Sequence, residues 1–393
     1  MLPENFSFYN PVKLVCGRGV LENIPYELDR LGCARPYVVI SRTMLEEGVL
    51  ERIGGKLRAV IRTDIPKDSS FALVDELARH AREERCDGVL AVGGGSVLDT
   101  AKAVRALLGP NGGDTLRSML GSEWVSREFV RGRELPFVMV PTTSGTGSEC
   151  TAVAVVQDDR TKIKEEIVSD RFLPDVAVLD PRCTVSLPPR LTAASGLDAL
   201  THAIEAYTGR QRNPISSAYA MAAVQLIGKN LIAVVREPQQ ESYRLSMACA
   251  SAMAGMAFSN SMVGVVHAIA HALGSVCGMA HGEAVGLILP HAMHWQMDCQ
   301  QALYGELLGG FCGLEYAAEI PYQQRAEKLI EAIEDTILHL HQKCGIPQKL
   351  RDAGVNRKNF RQIIAAALDD GAMLAAVKVA SREDVEAILE RAL

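Results

Sequence analysis

Asp198 and His202 stand four residues apart in Gly196-Leu197-Asp198-Ala199-Leu200-Thr201-His202-Ala203-Ile204-Glu205-Ala206-Tyr207, a stretch without proline and rich in helix formers. A helix there sets both side chains on one face, one turn apart. A carboxylate oxygen beside an imidazole nitrogen suits a divalent transition metal, and two ligands leave such an ion half coordinated. The donors to complete it are His267, His271 and His281, three of the nine histidines within fifteen residues. They lie in an Ala-, Gly- and Met-rich run almost free of other charge, where an unpaired imidazole is costly to bury. Cys277 is a soft alternative ligand that the histidines make unnecessary. Taken singly, the Asp/His pair reads as a hydrogen-bonded surface pair and each histidine as a core residue bonded to a carbonyl; the cluster is what points to a metal.

The elements that must hold such a cluster can be read from the rest of the chain. Its 393 residues exceed what one hydrophobic core usually serves, so two domains are expected. Apolar, β-branched runs fall at 37–40, 59–61, 88–92, 137–140, 152–156 and 176–179, with a helical stretch, 69–85, between the second and third. Continuous apolar strands joined by helices predict a parallel sheet covered on both faces. Beyond Leu187-Pro188-Pro189-Arg190 the pattern turns helical, over 191–208, 215–235, 243–258, 262–276, 323–343, 357–368 and 382–392. The expected fold is therefore an α/β dinucleotide-binding domain with a Rossmann-like parallel sheet, residues 1–188, followed by an all-α metal- and substrate-binding domain, residues 189–393.

Two strand-end loops suit a nucleotide. Gly93-Gly94-Gly95-Ser96 follows strand 88–92 and precedes a helical stretch, so the backbone can approach a phosphate that the helix N-terminus then binds. Pro141-Thr142-Thr143-Ser144-Gly145-Thr146-Gly147-Ser148-Glu149 follows strand 137–140 and offers hydroxyl and amide donors to a ribose or phosphate. Gly17-Arg18-Gly19 reads as a plain turn. A net charge of −6 gives no electrostatic case for nucleic acid or an anionic membrane. MLPENFSFYNPVKL has neither a basic n-region nor an apolar h-region, and no apolar run reaches the length of a membrane span. Ten cysteines form no CxxC pair, which suits a reducing compartment and a cytoplasmic protein.

GLDALTHAIEAY, the spacing of His267 to His281, GGGSVLDTAK and PTTSGTGSE together resemble the iron-containing (group III) alcohol dehydrogenase family, over most of the chain to about residue 295. The resemblance implies that Asp198, His202, His267 and His281 are the four ligands of Fe²⁺, with Zn²⁺ as rival. It makes His271 a non-ligand near the reacting carbon and a candidate proton relay. It sets the cofactor, NADP or NAD, against Ser41, Arg42, Gly93, Gly94, Gly95, Ser96, Asp99, Thr142, Thr143, Ser144, Thr146, Ser148, Lys164 and Leu179. Members that use NAD often carry an Asp where this chain has Ser41-Arg42, and an arginine there suits a 2′-phosphate. The implied activity is a metal-dependent, NAD(P)-linked alcohol dehydrogenase or aldehyde reductase that acts on small alcohols or aldehydes by hydride transfer at a metal-activated oxygen, as a homodimer. Two other reactions share these features, a hydroxyacid–oxoacid transhydrogenase and a dehydroquinate-synthase-like lyase. The lyase needs cations to hold a phosphorylated substrate, and 191–208 and 255–294 contain no Lys or Arg.

Overall fold

The computed structural model describes residues 4–54, 57–110, 112–120, 134–161 and 164–393. The chain forms two compact units, one of Asn10–Thr143 with Gly147–Val185, the other of Ser186–Leu393 joined by Ser144–Thr146 and the N-terminal segment to Tyr9.

The first unit is built on strands β1 (Lys13–Cys16), β2 (Pro36–Ile40), β3 (Val60–Arg62), β4 (Gly88–Gly93), β5 (Phe137–Pro141) and β8 (Val176–Leu179). They form one sheet in the order β1-β8-β5-β4-β2-β3, parallel throughout. The period-two alternation of a strand divides its side chains between two cores. Tyr37, Val39, Val89, Ala91, Phe137 and Met139 face one side, against Phe71, Val74 and Leu77 of helix α1 (Phe71–Glu83) and Val97, Ala101 and Val104 of helix α2 (Gly95–Leu108). Val38, Ile40, Leu90, Val92, Val138 and Val140 face the other, with Leu21, Ile24 and Leu28. Burial on both faces is why these strands read as unbroken apolar runs. Ser70 starts α1, its hydroxyl accepting from Leu73 N at 3.3 Å.

One strand departs from expectation. Val153–Gln157 (β6) does not join the parallel sheet; it pairs antiparallel with Lys164–Val168 (β7) as a separate ribbon. Its burial alternates along the strand where that of β2, β4 and β5 is continuous, the mark of a strand with one covered face. Lys164-Glu165-Glu166, a charge run by composition, is the polar strand that completes the ribbon.

The second unit is helical. Its principal helices are α3 (Pro189–Thr208), α4 (Pro214–Arg236), α5 (Glu241–Phe258), α6 (Val265–Cys277), α7 (His281–Trp295), α8 (Met297–Cys312), α9 (Arg325–Cys344), α10 (Arg357–Leu368) and α11 (Arg382–Ala392). Helices α7 and α8 carry no N-terminal side-chain cap, and α7 contains Pro290, so neither shows an ordinary start signal in sequence. Contrary to the reading that no run reaches a membrane-span length, α4 is long and apolar enough by length and composition. Its face bearing Ala220, Ala223, Val224, Ile227 and Leu231 is buried within the unit.

Candidate active site

Three helices deliver the metal-type donors. Asp198 and His202 lie one turn apart on α3, 3% and 5% exposed. His267 and His271 lie one turn apart on α6, which ends at Gly278 in the left-handed conformation, φ 69°. That turn sends the chain back within three residues, so His281 opens α7. Helix α7 approaches α3 closely because it presents glycines: a Cβ at Gly282 would meet Ala194 O at 2.5 Å, and one at Gly286 would meet the Leu197 side chain at 2.6 Å. Any larger residue at either position would push His281 away from Asp198.

Asp198 Oδ1 stands 3.6 Å from His202 Nδ1, 3.7 Å from His267 Nε2 and 3.4 Å from His281 Nε2. These separations exceed ordinary hydrogen bonds, and Asp198 Oδ1, His202 Nδ1 and His267 Nε2 are buried without a hydrogen-bond partner. Leaving three polar atoms so would cost about 1–3 kcal/mol each, unless something else satisfies them. Metal bonds of about 2.1 Å in a tetrahedron put neighbouring donors about 3.4 Å apart, close to the spacing found. The cluster therefore fits a divalent cation with nitrogen and oxygen ligands.

Charge and ring packing fix the donors. Burial opposes ionisation of Asp198, and the surrounding imidazoles of His202, His267 and His281 more than offset it, holding the carboxyl well below its usual range. Burial pushes His202 down to about 3, and its ring stacks on Phe258 at 4.2 Å. His267 goes the other way, to about 10, because Asp198 and Glu205 outweigh its burial. Glu205 is a residue that the sequence reading passed over. Its Oε2 contacts His267 Nδ1 at 2.5 Å and its Oε1 accepts from Val266 N at 2.8 Å. A carboxylate on Nδ1 holds the proton there, so that Nε2, the atom facing Asp198, is the nitrogen that would give up its proton to ligate a metal. His271, 5.2 Å ring to ring from His281, is held likewise: its Nδ1 lies 3.0 Å from Asp370 Oδ2, and Asp370 Oδ1 accepts from Ala372 N at 2.8 Å.

The two nucleotide-type loops leave hydrogen-bonded neighbours, β4 and β5, at their carboxyl ends, where α/β sheets bind ligands. A Cβ on Gly93 would meet Val97 Cβ at 2.5 Å, so only glycine lets α2 start there. Gly94 caps α2 without a side-chain acceptor, which leaves the first amides of the helix for an anion. Thr142 N donates to Gly93 O at 3.0 Å and joins the loops, and Gly94 faces Thr143. Ser96 Oγ donates to Lys67 O. Asp99 accepts from Ser148 Oγ at 2.6 Å and Val155 N at 3.1 Å. Of the other residues expected at the cofactor, Ser41 lies at this same edge, its N donating to Val92 O at 2.9 Å. Ser41 caps the helix Arg42–Glu46, Arg42 forms an exposed ion pair with Asp64, and Lys164 forms one with Asp68 at 2.6 Å. Leu179 is 1% exposed at the end of β8, and Ser144 and Thr146 group with the helical unit.

A dinucleotide-type sheet edge in a chain that also carries a three-histidine, one-aspartate cluster suits a metal-dependent, nicotinamide-linked dehydrogenase. The chain belongs to the iron-containing alcohol dehydrogenase family: residues 11–181 match the model of iron-containing alcohol dehydrogenases and residues 192–393 that of the family's C-terminal region. It is 32% identical to the NAD-dependent methanol dehydrogenase of Bacillus methanolicus over 396 residues, covering 98% of this chain and 100% of that one. To the 1,3-propanediol dehydrogenase of Klebsiella pneumoniae it is 38% identical over 330 residues, 83% of this chain and 80% of the relative. The crystal structure of a 1,3-propanediol oxidoreductase superposes with a TM-score of 0.90 at 31% identity, over 99% of this chain and 100% of the other. The chain is thus an alcohol dehydrogenase by family.

Proposed function

We propose that the enzyme interconverts small uncharged primary alcohols, short diols among them, with their aldehydes, using a divalent iron ion held by Asp198, His202, His267 and His281. The observation that carries this reading is the convergence of buried donor atoms on Asp198, His202 and His267 without hydrogen-bond partners. Such an ion, when bound, supplies Lewis acidity at the substrate oxygen. Around it, Asp198 supplies the negative charge, Glu205 keeps His267 Nε2 free to ligate, and Phe258 fixes the His202 ring. His271, with Nδ1 held by Asp370, presents Nε2 to carry the alcohol proton away. The amides that open α2 and the hydroxyls of Thr142 and Thr143 hold the cofactor.

NAD is the cofactor we expect it to prefer. Arg42 is paired with Asp64, so binding a 2′-phosphate would first break that pair. The lack of Lys and Arg in 191–208 and 255–294 favours an uncharged substrate over the phosphorylated one of the lyase. We expect a cytoplasmic homodimer, which light scattering on the purified protein would test.

The test is oxidation of NADH by short aldehydes after anaerobic reconstitution with Fe²⁺, beside a metal-stripped control. Metal-dependent loss of NADH absorbance is expected. No turnover with NADH or NADPH, with either Fe²⁺ or Zn²⁺, would overturn the reading and leave the transhydrogenase, which keeps its nicotinamide bound.

A further inference from the structure

Lys102 is a fully buried cation of the nucleotide-binding unit that neither cofactor loop accounts for. It lies on α2, two turns past the glycine loop, and its side chain is 0% exposed. Burial pulls its amine below the usual lysine value, against the opposing charges of Asp99 and Glu149. Its ammonium donates to Thr151 Oγ1 at 2.8 Å and to Val153 O at 2.6 Å, and stands 3.5 Å from Asp99 Oδ1. Asp99, one turn earlier on the same helix, takes Ser148 Oγ and Val155 N. Two consecutive turns of α2 therefore grip the stretch 148–155 at Ser148, Thr151, Val153 and Val155.

That grip matters because of what precedes it. The segment 142–147 is made only of Thr, Ser and Gly, with no apolar side chain to pack it and Gly147 in the left-handed conformation, φ 58°. The loop is nonetheless largely buried, with Thr142 8% and Ser144 7% exposed, so its order rests on hydrogen bonds and close backbone packing, and ordering backbone costs about 1–2 kcal/mol per residue. A ligand that had to supply that ordering would bind correspondingly weakly. One end of the loop is already fixed, through Thr142 N on Gly93 O; Asp99 and Lys102 fix the other.

We propose that Lys102, acting with Asp99, is a positioning residue for the nicotinamide cofactor, clamping the Ser/Thr/Gly loop onto the same helix whose N-terminus faces the cofactor phosphates. The inference rests on the reading that these two loops hold the cofactor. Lys102 touches no substrate. Its effect reaches the cofactor only through the shape of the loop, so it belongs in the affinity for NADH and in KM for NAD.

The test uses full-length, Fe²⁺-loaded enzyme carrying Lys102→Met or Thr151→Val, with Thr151→Ser as the conservative partner. NADH binding is followed by fluorescence titration, and kcat is measured at saturating NAD. The expected result for Lys102→Met is an NADH Kd and a KM for NAD at least about tenfold higher, with metal content unchanged and kcat within about threefold. Thr151→Val is expected to shift both constants in the same direction by less, and Thr151→Ser to restore them. A folded Thr151→Val or Lys102→Met enzyme that binds NADH as the wild type does would overturn the clamp. If Lys102→Met does not fold, the Thr151 pair decides alone. Failure of the wild-type enzyme to bind NADH would instead sink the cofactor assignment itself.

Discussion

Replacing Glu205 by Gln tests the assignment of the metal cluster through a residue that does not itself ligate. In the wild type, Oε1 of Glu205 accepts from Val266 N at 2.8 Å and Oε2 sits 2.5 Å from His267 Nδ1, both groups being buried. Glutamine keeps the size and the Val266 bond, so the backbone at the start of α6 stays satisfied. What changes is the second arm, where an amide NH₂ now faces Nδ1. Imidazole can meet that donor only by moving its proton to Nε2, the atom that faces Asp198 at 3.7 Å, and a protonated Nε2 has no lone pair to ligate with. Loss of the carboxylate also removes one of the charges that hold the His267 pKa up near 10. Removing such supporting groups generally lowers metal affinity by about ten- to hundredfold, equivalent to about 1.4–2.7 kcal/mol. Competition of Zn²⁺ or anaerobic Fe²⁺ against a chelator measures it directly, with thermal unfolding of the metal-free proteins as the control for fold. Wild-type affinity in a folded Glu205→Gln protein would show that His267 Nε2 is not a ligand, and the four-residue assignment would fall with it.

Other expectations are independent of that one. Asp198→Asn keeps the shape of the side chain and removes its charge; the protein should lose its metal on dialysis yet still bind NADH, and full metal retention would contradict the cluster. Gly286→Ala sets a Cβ 2.6 Å from the Leu197 side chain, so α7 must shift; stability should fall by about 1–3 kcal/mol, with metal affinity falling too because His281 moves with the helix. Arg42→Ala should cost less than about 1 kcal/mol of stability, since its pair with Asp64 is exposed; kcat/KM with NADPH should drop while that with NADH stays, and equal loss for both would remove Arg42 from cofactor choice. Asp180 accepts from Gly19, Leu21 and Arg182 amides and pairs with the Arg182 guanidinium. Burial opposes its ionisation, and Arg182 with these amides outweighs it, so its carboxyl titrates below the usual range. A depressed folded-state pKa gives stability that is present above the ordinary aspartate value, about 3.9, and is lost as pH falls through the folded value. Asp180→Asn should therefore be about 2 kcal/mol less stable than wild type at neutral pH, with the gap closing in acid; a gap independent of pH in denaturant titrations would refute the assignment.

The sequence showed the parallel sheet because its strands are apolar on both faces, and the helical stretch 69–85 because its apolar residues recur at helical spacing. It misplaced β6, since a run such as Ala152 to Val156 has the same composition whether one face is covered or two. The partner strand Lys164–Val168 was hidden for the converse reason: three charged residues in a row look like a solvated surface, and only pairing with β6 makes a strand of them. Helix α7 was hidden by Pro290 and by the lack of a cap, although its first residue, His281, was legible as a donor.

The residues of the candidate site divide along a similar line. Asp198, His202, His267 and His281 stand out because charge and imidazole are expensive in apolar helices, and that cost is visible in one dimension. Glu205 was equally visible in principle. It lies seven residues after Asp198 and three after His202, two turns up the same face of α3, and each ligating histidine needs an acceptor for its second nitrogen. Counting nitrogens against nearby acceptors, and not ligands alone, would have singled it out. Asp370 and Lys102 carry no such mark. Asp370 lies 99 residues from the histidine it holds, in a segment whose composition is that of any surface turn. Lys102 sits on α2 at helical spacing like an ordinary solvated lysine, and only the packing of the stretch 148–155 over it turns the position into a closed one. The donors of this site follow from what is costly to bury, and their supports follow from what the fold brings beside them, so Glu205, on the same helix as two donors, was the one support that the sequence alone had the means to reveal.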